Sequence, residues 1–212
     1  MQNIKPIDIE KRSFEIITEE LGNRGINEQN APVIKRVIHT TADFDYVDNI
    51  CFSENVVNKA IEYLKAGACI VTDTQMAKSG VNKAALNRCG CKVICFMSDE
   101  DVADRAEAEG TTRAVVSMRK AADIIEPLII AVGNAPTALM ELDRLIRRGE
   151  ILPKLVIGVP VGFVNVIESK ELIMKAGIPY IVARGRKGGS NVAAAILNAL
   201  LYMASPRDED KR

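Results

Sequence analysis

His39 is the single histidine of the chain and sits in Arg36-Val37-Ile38-His39-Thr40-Thr41-Ala42-Asp43, where apolar residues give way to hydroxyls and carboxylates. Imidazole is the side chain whose protonation changes nearest neutral pH, so a reaction that moves one proton has its natural carrier here. Arg36 and His39 stand three residues apart and share a helix face, with Asp43 one turn further on if the helix continues. Val33, Ile34, Val37 and Ile38 supply the packing stripe, which predicts His39 at the edge of the core, partly desolvated and beside a cation.

A second cluster, Ala183-Arg184-Gly185-Arg186-Lys187-Gly188-Gly189-Ser190-Asn191, follows a β-branched run and precedes an alanine-rich helix. Cations and glycines at a helix start combine flexible backbone donors, a favourable dipole and charge-assisted bonds, so its natural partner is an acidic ligand. Two other turns carry hydrogen-bonding groups. Thr72-Asp73-Thr74-Gln75 leaves one predicted strand, and Gly133-Asn134-Ala135-Pro136 leaves another, with amides expected to be free for an anion or a carbonyl. Gly158 to Asn165, with Val161, Phe163 and Val164, predicts a small flat apolar surface with close backbone approach at its glycines. No G-x-x-x-x-G-K-S/T and no G-x-G-x-x-G is present, which argues against nucleotide binding. Dispersed donors suit several carboxylates on a large ligand better than one phosphate.

The elements that must position these groups alternate. β-branched runs near 69–72, 92–97, 128–132, 155–159 and 179–183 are separated by longer helix-compatible segments, the pattern of βα repeats around a mostly parallel sheet. The expected fold is a three-layer α/β/α domain with about five strands and an N-terminal helical portion, spanning residues 1–205. Helices are predicted near 8–21, 28–39, 55–66, 136–148 and 191–203, three of them closed by Gly22, Gly67 and Gly149. A charged C-terminal tail at 206–212, frayed from about Ser205, is expected after the last helix. Ligands of open α/β sheets gather at the carboxyl ends of the strands, where these turns fall.

Lys+Arg and Asp+Glu both number 28, so the whole-chain balance offers no electrostatic case for nucleic acid or an anionic membrane. The longest apolar runs are far shorter than the roughly 20 residues that span a bilayer. The N-terminus lacks the apolar core of a signal peptide, and the expected location is the cytoplasm. Five cysteines, at 51, 69, 89, 91 and 95, are an odd set without a C-x-x-C pair and far from His39. They are expected to be reduced, with Cys91 and Cys95 in a buried strand rather than on a metal.

Several motifs in order resemble the precorrin-8X methylmutase family of cobalamin biosynthesis. They are Lys11-Arg12-Ser13-Phe14, Val37 to Asp43, Thr72 to Met76, Gly133 to Ala138, Gly158 to Val164, Glu168-Ser169-Lys170 and Arg184 to Ser190, and the match runs from about residue 5 to 203. The resemblance implies an isomerase that moves a methyl group from C-11 to C-12 of a corrinoid ring, with His39 as proton donor and acceptor. It implies substrate contacts at Ser13, Arg36, Thr72, Asp73, Thr74, Gln75, Arg113, Asn134, Arg184, Arg186, Lys187, Gly188, Gly189 and Ser190. It implies no cofactor, since any cobalt travels with the substrate. The His-Thr-Thr-Ala-Asp wording is more similar to the branch in which cobalt is inserted first. The implied partner is a corrinoid tetrapyrrole, and its size against a small domain favours a homodimer. The competing expectation is a tetrapyrrole carrier that uses His39 only as a hydrogen-bond partner or axial ligand.

Overall fold

β-branched runs and amphipathic stretches alternate in space as they do in sequence. The computed structural model describes residues 6–206, the side chains of residues 6 and 7 excepted. In chain order its elements are α1 (Pro6–Leu21), α2 (Ala31–Thr41), α3 (Tyr46–Asn49), β1 (Ile50–Phe52), α4 (Val56–Lys65), β2 (Cys69–Thr72), α5 (Gln75–Gly80), α6 (Lys83–Arg88), β3 (Lys92–Ile94), α7 (Glu100–Ala108), α8 (Arg113–Ala121), β4 (Leu128–Val132), α9 (Pro136–Arg147), β5 (Leu155–Gly158), α10 (Val166–Met174), β6 (Tyr180–Ala183) and α11 (Ser190–Ala204).

Among the described residues the sheet has six strands in the order β1-β6-β5-β4-β2-β3. Every pairing is parallel except that of β1 with β6, where Ile50 faces Ala183 and Phe52 faces Ile181. β1 is the strand beyond the expected five. Three residues are too few to show a period of two, and only pairing with β6 makes them a strand.

Alternation along the central strands feeds two cores. Ile129 and Ala131 of β4 point into one with α2, α4 and α11, while Leu128, Ile130 and Val132 point into the other with α8, α9 and α10. α11 lies between the sheet and α2, which explains its composition: Val192, Ala193, Ile196, Leu197, Leu200 and Leu201 are all fully covered. Small residues let neighbours come close there, and a Cβ added at Gly80 would stand 2.8 Å from the Ala194 Cβ. The helix ends marked by Gly22, Gly67 and Gly149 are real, each glycine having a positive φ. Ser205 is not frayed, because Arg88 donates to its hydroxyl and its carbonyl, both at 3.0 Å. The tail from residue 207 lies outside the described residues.

All five cysteines are free thiols, and Cys91 and Cys95 are buried as expected, although they flank β3 rather than lie in it. Burial pushes the Cys91 thiol up to about 11, and its Sγ donates to the Leu64 carbonyl at 3.1 Å. Such a thiol is a filler of space, not a nucleophile.

Candidate active site

The helix that carries His39 ends on an unusual residue. The Ala42 backbone, at φ 54°, adopts a left-handed conformation and donates to Ile38 O at 2.7 Å, closing α2 and turning the chain toward Asp43. That conformation costs an alanine about 1 kcal/mol. Asp43 and Asp45 both accept from Lys187 Nζ at 2.6 Å, so the end of α2 is tied to the basic loop after β6. Lys187 holds the Asp43 carboxyl below its usual range, and the two carboxylates raise Lys187 in turn.

Val33, Ile34, Val37 and Ile38 take the packing face of α2 as expected, but His39 is exposed rather than partly desolvated. The cause is its place one helical step beyond Ile38, on the side that faces α1. There its ring stacks on Phe14, with centroids 5.2 Å apart and planes within 16°. The Arg36 guanidinium covers the same aromatic ring at 4.5 Å and the Tyr202 ring at 5.0 Å, and it forms an ion pair with Glu10. Phe14 therefore joins His39 to Arg36. Ser13, beside Phe14 in sequence, donates its hydroxyl back to Ile9 O at 2.9 Å. An open hollow of about 550 Å³ adjoins this group, with Lys35, Arg36 and Glu28 among its polar lining and Phe14, Tyr202 and Met203 among its apolar lining.

The strand exits also converge. Thr74 Oγ1 accepts from Ala77 N at the start of α5 and meets Ser190 Oγ at 2.8 Å, joining the β2 exit to the start of α11. A Cβ at Gly133 would fall 2.7 Å from Ser190 Cα, and one at Gly188 would fall 2.1 Å from Val159 O, so glycine is required at both close approaches. Gly189 N donates to Val159 O at 2.8 Å, and Gly162 N to Arg186 O at 3.2 Å.

The strand order reverses between β2 and β4, the place where a ligand crevice is expected. Here Asp73 fills it. Its buried carboxylate accepts from the amides of Gly133, Asn134 and Ala135 at 2.7–2.8 Å, so these amides are not free for a ligand. Thr72 is likewise buried and donates to Thr74 O at 3.0 Å. Both residues hold the turn together rather than face a ligand, because a ligand would have to displace bonds already made. Gln75 spends its amide on Cys95 O and Ser98 Oγ at 3.4 and 3.2 Å. Asn134 is exposed at the same turn, and Arg113 is exposed at the start of α8, tied to α9 by a 3.1 Å contact between Thr112 and Thr137 hydroxyls.

The three cations of the basic loop are not equivalent. Arg184 pairs with Glu171 at 3.0 Å, and Lys187 is held by Asp43 and Asp45. Arg186 has no carboxylate partner among the described residues and lies 5.4 Å from the Phe163 ring. Phe163 is 81% exposed, and Val161 and Val164 are exposed beside it, giving the apolar surface expected of this turn. Phe14 and Lys170 are the residues that sequence reasoning passed over. Both stand inside motifs that carried the resemblance, which was the signal available for them.

Comparison with known proteins places the chain in a family. A family model described as precorrin-8X methylmutase matches residues 8–203. The chain is 47% identical to the cobalt-precorrin-8 methylmutase of Leptospira interrogans, over 95% of this chain and 96% of that one. It is 45% identical to that of Priestia megaterium (95% and 89%) and 38% identical to the precorrin-8X methylmutase of Pseudomonas aeruginosa (91% and 93%). The crystal structure of the precorrin-8X methylmutase of Thermus thermophilus superposes with a TM-score of 0.86 at 39% identity, over 93% of this chain and 98% of that one. The chain belongs to the precorrin-8X methylmutase family.

Proposed function

We propose that this chain, an isomerase of cobalamin biosynthesis, moves a methyl group from C-11 to C-12 of cobalt-precorrin-8 to give cobyrinate, with His39 carrying the proton. The observation that carries the proposal is the His39–Phe14–Arg36 group at the end of α2, tied by Asp43 and Asp45 to the basic loop. An exposed imidazole stacked on a ring is oriented yet open to a ligand. Protonated, it gives its proton to the macrocycle and draws electron density away from C-12. The methyl group then migrates with its bonding pair across one face of the ring, and the imidazole takes a proton back. Nothing is gained or lost in sum, so the shift calls for no redox partner and no nucleophile, and cobalt belongs to the substrate.

The remaining groups suit the substrate's acidic rim and apolar face. Arg36 and Lys35 at the hollow, and Arg186 with the amides of the loop after β6, suit peripheral carboxylates. Val161, Phe163 and Val164 suit the flat ring. Relatives named for the cobalt substrate at 47% and 45% identity, against 38% for one named for the cobalt-free form, support the cobalt form. A substrate this large lies over an open surface, and a homodimer that completes the pocket is part of the proposal; a monomer by sedimentation velocity removes that part.

His39→Asn tests the reaction. Followed by the visible spectrum of cobalt-precorrin-8, turnover should fall by about a hundredfold or more while affinity for cobyrinate stays within about threefold. Near-normal turnover in the variant removes the proton-transfer role, and turnover absent from the wild type leaves only a carrier.

A further inference from the structure

Lys170, on α10, is the largest fully buried side chain among the described residues, and its own exposure is 0%. A lysine buried to that degree is rare unless its ammonium is satisfied. Its Nζ donates to Gly185 O at 2.8 Å and to Lys187 O at 2.9 Å, two carbonyls of the basic loop separated by one residue. The intervening carbonyl, of Arg186, accepts from Gly162 N at 3.2 Å. Three consecutive carbonyls of the loop are thus each engaged by a protein donor, two of them by Lys170.

The peptide geometry then determines where the amides point. Among the described residues no peptide bond is cis. In a planar trans peptide the C=O and the following N–H point in opposite directions. With Gly185 O and Lys187 O drawn to Lys170, the N–H groups of Arg186 and Gly188 are directed away from it. Neither amide has a hydrogen-bond acceptor among the described residues. The side of the loop away from Lys170 therefore presents the N–H groups of Arg186 and Gly188, with the Arg186 guanidinium on the same segment. Gly188 cannot be replaced in this arrangement, because a side chain there would meet Val159 O.

We propose that Lys170 is a positioning residue, which turns the loop carbonyls inward and so aims the amides of Arg186 and Gly188 at a peripheral carboxylate of the substrate. The proposal rests on the corrinoid function argued above. It assigns Lys170 no contact with substrate and no part in the proton transfer, which lies with His39 on α2. A neutral amine would still have two N–H bonds for the two carbonyls, so it is the donors, rather than the charge alone, that set the loop.

Two measurements test it. Amide proton shifts of isotope-labelled wild-type protein are followed as diamagnetic cobalt(III) cobyrinate is added. The Arg186 and Gly188 amides should move downfield among the largest in the spectrum, as donors to a carboxylate do. Bound cobyrinate with both amides unmoved overturns the assignment while leaving the function standing. Wild-type protein that does not bind cobyrinate at all overturns the function and the assignment with it. In the second measurement Lys170→Met, which keeps an apolar stem and removes the donors, should raise KM about tenfold with kcat within about threefold. A folded variant with wild-type KM overturns the proposal, as does one in which only kcat falls; if the variant does not fold, the amide shifts decide alone.

Discussion

Two turns at the carboxyl edge of the sheet are each held by one buried charge, and the charges have opposite signs. At the β4 exit the Asp73 carboxylate gathers the amides of Gly133, Asn134 and Ala135. At the β6 exit the Lys170 ammonium gathers the carbonyls of Gly185 and Lys187. Burial pushes the Asp73 carboxyl up, against the amide bonds that pull it down, and it pushes the Lys170 ammonium down to about 8. In both, burial works against the charged form, and a buried charge of this kind is weak evidence for net stability. The difference lies in what each leaves over. A carboxylate consumes donors and leaves a turn with nothing for an anion; an ammonium consumes acceptors and leaves a loop that offers an anion only donors.

Breaking the acidic turn should have the largest effect. Asp73→Ala leaves three amides at the turn without their acceptor, one of them on buried Gly133, and should lower unfolding free energy by about 3 kcal/mol. A urea midpoint equal to wild type would show that water replaces the carboxylate and that the turn needs no clamp. The contrast predicts a small change in cobyrinate affinity, since Asp73 is spent on the backbone.

The basic loop is tested by pH. An unfolded chain holds the Lys170 proton up to about 10.4, and the folded one releases it near 8. Between these values the unfolded state binds more protons, so stability rises with pH in that window. From about pH 7.5 to about pH 9.5 the wild type should gain about 2 kcal/mol relative to Lys170→Met, read from urea denaturation of both proteins. The raised Cys91 thiol acts in the opposite sense above pH 9, but it is common to both proteins and cancels in the difference. Parallel profiles would mean that folded Lys170 keeps its proton throughout this window, and that burial does not lower it.

What could be read from the chain alone follows the same division between repeated pattern and single contact. The runs of β2, β4, β5 and β6 and the glycine-closed helices rest on periodicity and on positive φ, and both are written in the sequence. β1 was not legible, because Ile50 to Phe52 becomes a strand only against β6. The clustering of the Thr72, Gly133 and Arg184 turns followed from strand direction alone. Whether their polar groups are free or consumed did not, since this depends on contacts 60 residues apart between Asp73 and Gly133 and 15 apart between Lys170 and Gly185. Lys170 defeats composition for the same reason: a lysine on a helix is ordinarily read as solvent-facing.

The smallest effect separates the cations of the loop itself. From sequence they form one positive patch, and replacing Arg184 and Arg186 together would test only that patch. The pairings make them unequal. Arg184 already has Glu171, and releasing it to a ligand carboxylate would exchange one exposed ion pair for another, with little gain. Arg186 is balanced by no carboxylate among the described residues and is propped on exposed Phe163. Arg186→Ala should therefore weaken cobyrinate binding by about fivefold to tenfold at low salt, and Arg184→Ala by less than about twofold. Added salt should narrow the gap, because an exposed guanidinium is screened over a Debye length of about 8 Å at physiological ionic strength. Equal losses in a spectroscopic titration would return the loop to a uniform patch. A larger loss at Arg184 would mean that Glu171 yields it to the substrate, and that the donor face of the loop lies on the side away from Phe163.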